Sequence, residues 1–337
     1  MANILVTGGA GYVGSHVLMP LIKHGHQPIV VDNFSRGHRS IRELDKRIKV
    51  VETELSDHAN ISKTLEDYQI DAVMHFAALA YVEESSKIPD LYYINNTVET
   101  LWLAKALINY RKKGPPPIVF SSSCAVFGDP ESLPINEDTF KKPISPYGRS
   151  KLAAEWILED LGRAYGLSSV ILRYFNASGA DLENGTGENH EPETHLIPLA
   201  IRAARKQKEI KINGNNYPTK DGTAVRDYIH VKDLATAHIA ALNYLLAGGE
   251  SNDFNLGNGE GHSILEVIHA IERITATKMR VKQVARRLGD PGALMCDASK
   301  AREILKWQPE FSALEGIISD AAAWDAKQTC IEVETRG

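Results

Sequence analysis

The sequence predicts an α/β fold: a doubly wound parallel sheet of the Rossmann type, followed by a smaller C-terminal α/β lobe that binds the substrate. Three observations support this fold class. Short apolar runs alternate with amphipathic stretches in the first half, a glycine-rich segment follows the first run, and the composition changes after Asn176. Strands that alternate with helices of this length form parallel βαβ units.

The predicted strands and helices of the first half follow one another regularly. The apolar runs predict strands over Ile4–Thr7, Pro28–Val31, Ile48–Val51, Asp71–Phe76, Pro117–Ser121 and Ser168–Arg173. The amphipathic stretches predict helices over Tyr12–His24, Ile61–Tyr68, Tyr92–Tyr110 and Pro146–Tyr165. We assign residues 1–176 to a nucleotide-binding domain.

The second half has a different character. Residues 177–222 are rich in Gly, Asn, Glu and Pro, which predicts long binding loops around a helix near Ile197–Lys208. We assign residues 177–337 to the smaller lobe and expect residues 225–250 to pack back on the first domain. Further helices are predicted, among short strands, over Asp233–Leu246, Ile264–Thr275, Ser299–Leu305 and Leu314–Lys327.

Composition and charge narrow the function classes. The chain has 337 residues, of which 43% are hydrophobic and 24% charged, and its net charge is -5. This charge and the lack of a polybasic stripe argue against nucleic-acid binding. No apolar run approaches the roughly 20 residues that span a bilayer, so no membrane partner is expected. Three cysteines without a CxxC pair, and a start unlike a signal peptide, predict a cytoplasmic protein.

A Gly-x-x-Gly-x-x-Gly pattern over residues 8–14 stands between the first strand and the first helix. Glycines at this place let the backbone approach a pyrophosphate, which then lies at the positive end of the helix. Asp32, at the end of the second strand, would accept hydrogen bonds from the ribose hydroxyls and repel a 2′-phosphate. The pattern therefore predicts NAD rather than NADP, and we interpret Arg36 and Arg39 as solvated loop residues.

Tyr147 and Lys151 open a predicted helix four residues apart, so both side chains can point into one cleft. Ser145 is predicted to cap that helix. The helix dipole, the Lys151 ammonium and the positive nicotinamide ring would lower the pKa of Tyr147 from about 10 toward neutrality, as a general base requires. Ser123, at the end of a strand, would hydrogen-bond the same substrate oxygen. No metal site is predicted.

Ten segments, spread over nearly the whole chain, carry motifs of a known family. They read TGGAGYVGSH, VDN, HFAALAYVEES, YYINN, FSSSCAVFGD, SPYGRSK, LRYFNASGA, NGNNYPTKDGTAVRDYIHVKDL, NLGNG and RRLGDPGALMCDASKA. In these segments the chain resembles the extended short-chain dehydrogenase/reductase family and, within it, the UDP-glucose 4-epimerases.

The resemblance implies an isomerase that holds NAD tightly and inverts C4 of a UDP-sugar, with UDP-glucose and UDP-galactose as the first expectation. The sugar would be oxidised to a 4-keto form, turn, and be reduced on its other face. The implied catalytic set is Ser123, Tyr147 and Lys151. Cofactor contacts are implied for Gly8, Gly11, Tyr12, Val13, Gly14, Asp32, Asn33, Glu54, Leu55, Phe76, Ala77, Ala78, Asn95, Tyr147, Lys151 and Tyr174. Substrate contacts are implied for Ser123, Tyr147, Asn176, His195, Leu196, Arg226, Arg287, Asp290 and Leu294.

Several alternatives stay open at this stage. Leu294 occupies the position that limits sugar size in the family, and its intermediate size leaves UDP-N-acetylhexosamines and UDP-pentoses as alternative substrates. A nucleotide-sugar dehydratase would need an acid and a base where Cys124 and Ala125 follow Ser123. A non-catalytic NAD-sensing module usually lacks the Tyr and Lys pair.

The resemblance also implies a homodimer formed through two helices of each subunit. The corresponding stretches here, Thr97–Tyr110 and Leu152–Tyr165, carry apolar residues that could equally belong to the core. They are Leu101, Leu107, Leu152 and Trp156.

Overall fold

A computed structural model of the chain describes residues 1–110, 114–286 and 290–334. Its strands, in chain order, are β1 Asn3–Thr7, β2 Gln27–Asp32, β3 Lys49–Glu52, β4 Ala72–His75, β5 Ile118–Ser123, β6 Ser169–Tyr174, β7 Asn176–Ser178, β8 Ala180–Asp181, β9 Thr186–Gly187, β10 Glu209–Asn213, β11 Val225–His230, β12 Asn252–Leu256, β13 Gly261–Ser263, β14 Arg280–Val284 and β15 Ala293–Leu294. Its helices are α1 Tyr12–His16, α2 Leu18–Lys23, α3 His58–Asp67, α4 Val82–Lys87, α5 Pro89–Tyr93, α6 Glu99–Asn109, α7 Pro146–Tyr165, α8 Leu196–Arg205, α9 Val231–Leu246, α10 Ile264–Thr275, α11 Ser299–Ile304 and α12 Leu314–Glu334.

Seven strands form one sheet in the order β12-β6-β5-β4-β1-β2-β3. Every neighbouring pair in it is parallel. The strand order reverses between β1 and β4, and ligands of such sheets bind in the crevice at the carboxyl ends of the strands there. The predicted doubly wound parallel sheet is confirmed, and the six predicted strands are all present.

Both faces of the large sheet are covered by helices. Alternate residues of β1 enter different clusters: Ile4 and Val6 pack with Leu234 of α9, whereas Leu5 packs with Leu103 of α6. A strand buried on both faces has no solvent side. This explains why the strands read as continuous apolar runs in the sequence.

The seventh strand, β12, was not predicted. It lies at an edge of the sheet and pairs only with β6. Its sequence, NDFNL, offers only two large apolar residues, so its pattern differs little from that of a loop. The chain therefore returns to the large sheet after the loop-rich segment, first with α9, which packs on β4, β5 and β6, and then with β12.

Two predicted helices are interrupted. The stretch predicted over Tyr12–His24 consists of α1 and α2, and Pro20 explains the break, because it cannot donate to His16 and its ring crowds that carbonyl. The stretch predicted over Tyr92–Tyr110 contains one π-helical turn, Ile94–Val98, between α5 and α6. Such turns frequently occur at functional sites.

The smaller lobe is built around β11, which pairs with β13, β15 and β7. Two further pairs, β10 with β14 and β8 with β9, complete its strands in the described part of the chain. Helices α8, α10 and α12 pack together through Ile201, Ile268 and Ile317. Among the helices of the described ranges, none is long and apolar enough to cross a bilayer.

Candidate functional site

The glycine-rich loop lies against the end of β4, in the crevice between β1 and β4. Gly8 has a φ of +69°, and a Cβ there would lie 2.5 Å from the backbone nitrogen of Ala77. The amides of Phe76 and Ala77 both donate to the carbonyl of Thr7, at 2.9 and 3.1 Å. The loop and the strand end therefore form a shallow cradle of backbone that a side chain would fill, as a bound dinucleotide requires.

Asp32 ends β2 beside this cradle and is 8% exposed. Its carboxylate accepts hydrogen bonds from the amides of Ala10 and Phe34, at 2.9 and 2.8 Å. Burial raises the pKa of Asp32, and these two hydrogen bonds oppose the rise. Asp32 thus fixes the glycine loop, a role that the sequence analysis did not predict, and each of its oxygens keeps a lone pair for a ribose hydroxyl.

The two arginines that follow Asp32 are both engaged by carboxylates. Arg36 pairs with Glu84 at 2.8 Å, and Arg39 pairs with Glu52 through both of its terminal nitrogens. Neither guanidinium is positioned as a free partner for a 2′-phosphate.

Asn95 lies in the π-helical turn and faces the same crevice. Its Oδ1 accepts from the amide of Leu79 at 3.0 Å, and its Nδ2 donates to Glu99 at 3.1 Å. Burial and the nearby Glu54 raise the pKa of Glu99 to about 7. The irregular turn thus holds Asn95 next to Glu99, an acidic residue that had not been predicted to lie at the site.

The predicted catalytic residues come together at the end of β5. Ser145 caps α7 by accepting from the amide of Gly148 at 3.1 Å, which places Tyr147 in the first helical turn. A Cβ on Gly148 would lie 2.4 Å from the carbonyl oxygen of Ala125, so glycine allows this close approach. Tyr147 and Ser123 are both nearly buried, and the Ser123 hydroxyl lies near the phenol, where hydrogen bonding to the ionised form lowers the pKa of Tyr147.

The pKa of Tyr147 differs from the expected one. Burial and the neighbouring Tyr174 raise it well above its usual value, and the hydrogen bond with Ser123 opposes this rise only in part. The expected lowering of this pKa relied on the helix dipole, the Lys151 ammonium and the nicotinamide ring. The protein itself supplies little of the lowering, because the Lys151 ammonium donates to the carbonyl of Ser121 at 2.8 Å. The charge of a nicotinamide ring would have to provide the remainder.

Lys151 is 3% exposed, and a buried network that the sequence analysis missed lies beneath it. Burial lowers the pKa of Lys151 to about 7, although Glu155 opposes this shift. Glu155 binds Arg173 at 2.8 Å, and Arg173 reaches Asp253 at 2.6 Å. The spacing of Lys151 and Glu155, one helical turn apart, was the signal that could have revealed this network.

Replacing Lys151 by methionine is expected to stabilise the nucleotide-free protein below about pH 7, because burial of the ammonium is costly. The folded pKa of Lys151 is about 7 and therefore lies below its ordinary value of 10.5. Above pH 7 the unfolded chain holds a proton that the folded wild type has released. The wild type therefore gains stability as the pH rises, and the advantage of the variant shrinks.

Urea unfolding of both proteins at about pH 6 and about pH 9 measures this effect, which we expect to be on the order of a few kcal/mol at the lower pH. Lys63→Met, at an exposed lysine paired with Asp67, is the matched control and should show almost no pH-dependent difference. A stability difference for Lys151→Met that stays constant across this range would contradict the assigned pKa.

The predicted substrate residues of the smaller lobe gather around β11. Arg226 forms an ion pair with Asp290 and also donates to the carbonyl of Pro291 at 2.9 Å. Leu294 is paired with Arg226 in the ladder of β11 and β15 and is 7% exposed. Asn176 donates to the carbonyl of Asp227 at 3.0 Å. The predicted Arg287 lies outside the described residues.

His195 and Leu196 begin α8 on the loop side of the site. The Nδ1 of His195 lies 2.6 Å from the carboxylate of Glu188 and 3.1 Å from that of Glu193. Burial opposes protonation, but these two glutamates raise the pKa of His195 to about 10. His190 joins the same group. One nitrogen or oxygen atom from each of the four side chains lies within 4.8 Å of the others, and such atoms could hold a metal ion. This cluster was not predicted, although the close spacing of its four residues within 188–195 is present in the sequence.

The remaining cofactor positions surround the cradle. The ring of Phe76 packs on His238 of α9, with 4.7 Å between the ring centroids. Tyr12 donates to the carbonyl of Gly179 at 2.7 Å, which joins the glycine loop to the loop-rich segment. Burial raises the pKa of Tyr174 to about 12. Asn33 is exposed, Leu55 is buried, and Val13 and Ala78 are half-buried.

The fold and the geometry of the site define a dinucleotide-dependent enzyme. The family model for the NAD dependent epimerase/dehydratase family matches residues 4–257. The chain therefore belongs to this family, and NAD is its cofactor.

Individual relatives agree with this family over almost the full length of both chains. A UDP-glucose 4-epimerase of Rhizobium meliloti is 45% identical over 97% of this chain and 98% of its own. The crystal structure of UDP-glucose 4-epimerase from Brucella ovis in complex with NAD has a TM-score of 0.91 and 46% identity, over 96% of this chain and 98% of that one. The enzyme from Stenotrophomonas maltophila, with bound NAD and formylated UDP-arabinopyranose, has a TM-score of 0.93 and 37% identity, over 98% of this chain and 100% of that one.

Proposed function

We propose that this chain is an NAD-dependent 4-epimerase of UDP-sugars that interconverts UDP-glucose and UDP-galactose. One observation carries the proposal. Tyr147 lies beside Ser123 at the end of β5, and Lys151 lies buried one helical turn further along α7. UDP-glucose 4-epimerases that cover nearly the whole chain support this choice of substrate.

NAD binds in the cradle between β1 and β4, with its adenosine ribose at Asp32 and its nicotinamide end toward Tyr147. When bound, NAD would accept the hydride from C4 of the sugar and return it to the opposite face of the 4-keto sugar. Gly8, Gly11 and Gly14 approach the pyrophosphate, and Lys151 lies close to the nicotinamide ribose. The other residues that line this path are Tyr12, Val13, Asn33, Glu54, Leu55, Phe76, Ala77, Ala78, Asn95 and Tyr174.

Tyr147 takes the proton from the 4-hydroxyl of the sugar and gives it back when the keto group is reduced. Ser123 lies beside the phenol, so it is placed to hold the same substrate oxygen. Burial raises the pKa of the phenol. Oxidised NAD, held by the residues of the cradle, would supply a positive charge that favours ionisation of Tyr147.

The smaller lobe holds the UDP group and leaves the sugar free to turn. Arg226 presents a planar guanidinium, which suits a diphosphate, and Asp290 orients it. Asn176, His195, Leu196 and Arg287 are proposed to contact the nucleotide. Anchoring at the diphosphate with few contacts to the sugar permits the 4-keto intermediate to present its other face.

The structure disfavours a dehydratase on chemical grounds. Elimination of water needs an acid and a base beside Ser123, yet the next residue, Cys124, is a buried thiol whose pKa is raised to about 12 by burial. A thiol of this kind neither donates nor accepts a proton readily near neutral pH. Ala125 has no ionisable group.

Purified protein without added NAD is expected to convert UDP-galactose into UDP-glucose, because the retained cofactor is regenerated in each turnover. NMR spectroscopy of separate incubations with UDP-galactose, UDP-N-acetylgalactosamine and UDP-arabinose measures the C4 epimers directly. We expect the hexose to react fastest, because relatives that cover nearly the whole chain are UDP-glucose 4-epimerases. Faster turnover of the acetylated sugar or the pentose would reassign the substrate, and no turnover even with added NAD would contradict the proposed function.

We also propose that the enzyme is a cytoplasmic homodimer formed through α6, α7 and the segment before them. Leu107 and Leu152 are buried in the protomer, but Trp156 on α7 is 58% exposed. Leu91, Tyr93 and Ile94, at the start of the π-helical turn and just before it, are also exposed. Apolar residues left uncovered on neighbouring helices are typical of a subunit interface.

A further inference from the structure

A cluster of two histidines and two glutamates lies in the loop between β9 and α8. Its members are Glu188, His190, Glu193 and His195. We propose that these four residues bind one divalent transition-metal ion, Zn²⁺, and that the ion fixes this loop beside the nucleotide site. The inference does not depend on the proposed reaction.

The spacing of the ligand atoms allows them to surround one ion. Zinc binds nitrogen and oxygen at about 2.0–2.2 Å, which places tetrahedral ligands roughly 3.3–3.6 Å apart. The Nδ1 of His195 lies 2.6 and 3.1 Å from the Oε1 atoms of Glu188 and Glu193. The Nδ1 of His190 lies 3.1 and 4.0 Å from the same two oxygens. These distances lie on both sides of the tetrahedral spacing, and all four ligand atoms lie within 4.8 Å of one another.

A second observation points independently to a cation. The side chain of Glu193 is 2% exposed. Its Oε1 accepts from the amides of Thr194 and His195 at 2.7 and 2.9 Å, whereas its Oε2 is buried without a hydrogen-bond partner in the described part of the protein and is left for a cation. A buried carboxylate oxygen is costly unless a charge or a donor faces it. Histidines that bind a metal are neutral, so the two glutamates give the site two negative charges. A divalent cation neutralises them.

The surroundings of the cluster explain what an ion would accomplish. The ring of His190 packs at right angles to those of Tyr12 and Tyr81, with centroids 6.0 and 5.7 Å apart. The carbonyl of Glu188 accepts from the indole nitrogen of Trp324 at 2.9 Å. The cluster therefore touches the helix after the glycine loop, the segment before α4, and α12. An ion held there would fix all three to the loop that leads into α8.

This inference changes the role of His195. Its Nδ1 faces the two glutamates and would be a metal ligand, so only its other ring nitrogen and its backbone remain for a substrate. Such a loop would be ordered before the nucleotide sugar binds.

Metal analysis of the purified full-length chain tests the proposal without using turnover. We expect about one zinc per chain after growth with added zinc, removal of the metal by EDTA, and recovery of one tight site on calorimetric titration with Zn²⁺. Titration with Co²⁺ should produce the intense visible absorption of a tetrahedral site, as opposed to the weak absorption of octahedral cobalt.

Glu193→Gln and His190→Asn each remove one ligand with little change in size. Loss of a residue that only hydrogen-bonds a metal ligand typically weakens metal binding by roughly 10–100-fold. Each of these variants loses a ligand itself, so zinc binding should weaken by more than that. His24→Asn, at an exposed histidine outside the cluster, is the matched control and should bind zinc like the wild type.

Wild-type protein that binds neither ion tightly would overturn the proposal. So would Glu193→Gln and His190→Asn variants that bind zinc as tightly as the His24→Asn control. The cluster would then be an ion pair between His195 and the glutamates. If the ligand variants fail to fold, the stoichiometry and the cobalt spectrum of the wild type decide the matter alone. An inactive protein that still binds one zinc would refute the proposed reaction but not the metal site.

Discussion

Replacing Tyr147 by phenylalanine is expected to slow C4 epimerisation by about 10²–10⁴-fold, the usual contribution of a general acid–base group. The change removes one oxygen atom and leaves a ring that packs at right angles to Tyr92, with 6.4 Å between the centroids. Folding and NAD content should therefore stay close to those of the wild type. The measurements are kcat for UDP-galactose and the ratio of NAD to protein in the purified variant.

Tyr244→Phe serves as the matched control for this variant. Tyr244 is half-buried on α9 and packs against Phe254, so the substitution removes the same atom away from the candidate site. We expect its activity to be near that of the wild type. Near-normal epimerisation by Tyr147→Phe would mean that another group is the base, and an equal loss in both variants would point to a general effect on folding.

The architecture of the large sheet could be predicted because each strand carries its own signal. Strands β1, β2, β4, β5 and β6 are covered on both faces, and each carries a near-continuous apolar run. The bounds of α7 were predicted from Ser145 at its cap and Pro146 at its first position, and both are where they were expected.

The features that the sequence did not reveal depend on contacts between distant segments. Strand β12 carries little apolar signal of its own and becomes a strand by pairing with β6. The π-helical turn forms within a stretch that has good helical periodicity. It is fixed by the amide of Leu79, which donates to Asn95 and Asn96, and by Asn96, which donates to the carbonyl of Leu79. Neither contact has a local pattern that sequence reasoning could use.

The candidate site shows the same division. Tyr147 and Lys151 are four residues apart, so their common direction follows from helix geometry alone. The network of Glu155, Arg173 and Asp253 joins α7, β6 and β12, and the pairing of Arg173 with Asp253, 80 residues further along the chain, became visible only in the structure. The predicted lowering of the Tyr147 pKa includes the charge of a bound nicotinamide ring, whereas in the protein alone burial raises this pKa.

Replacing Arg226 by leucine is expected to reduce kcat/KM for UDP-galactose by roughly 30–4,000-fold. Loss of one member of a buried, hydrogen-bonded charge pair typically costs about 2–5 kcal/mol, and about 1.4 kcal/mol corresponds to a factor of ten. The side chain of Arg226 is only 12% exposed, so water replaces it poorly. Because the diphosphate is bound equally in the ground and transition states, most of the loss should come from a higher KM.

The control for this prediction removes an arginine of the same lobe from another ion pair. Arg202 pairs with Asp325 at 3.2 Å, and 32% of its side chain is exposed. Arg202→Leu should therefore change kcat/KM little. An Arg226→Leu variant with a normal KM and a normal Kd for UDP would place the diphosphate on other groups, of which Arg287 is the first candidate. A lowered kcat with an unchanged KM would instead assign Arg226 to the reacting state of the sugar, since interactions made only there act on kcat.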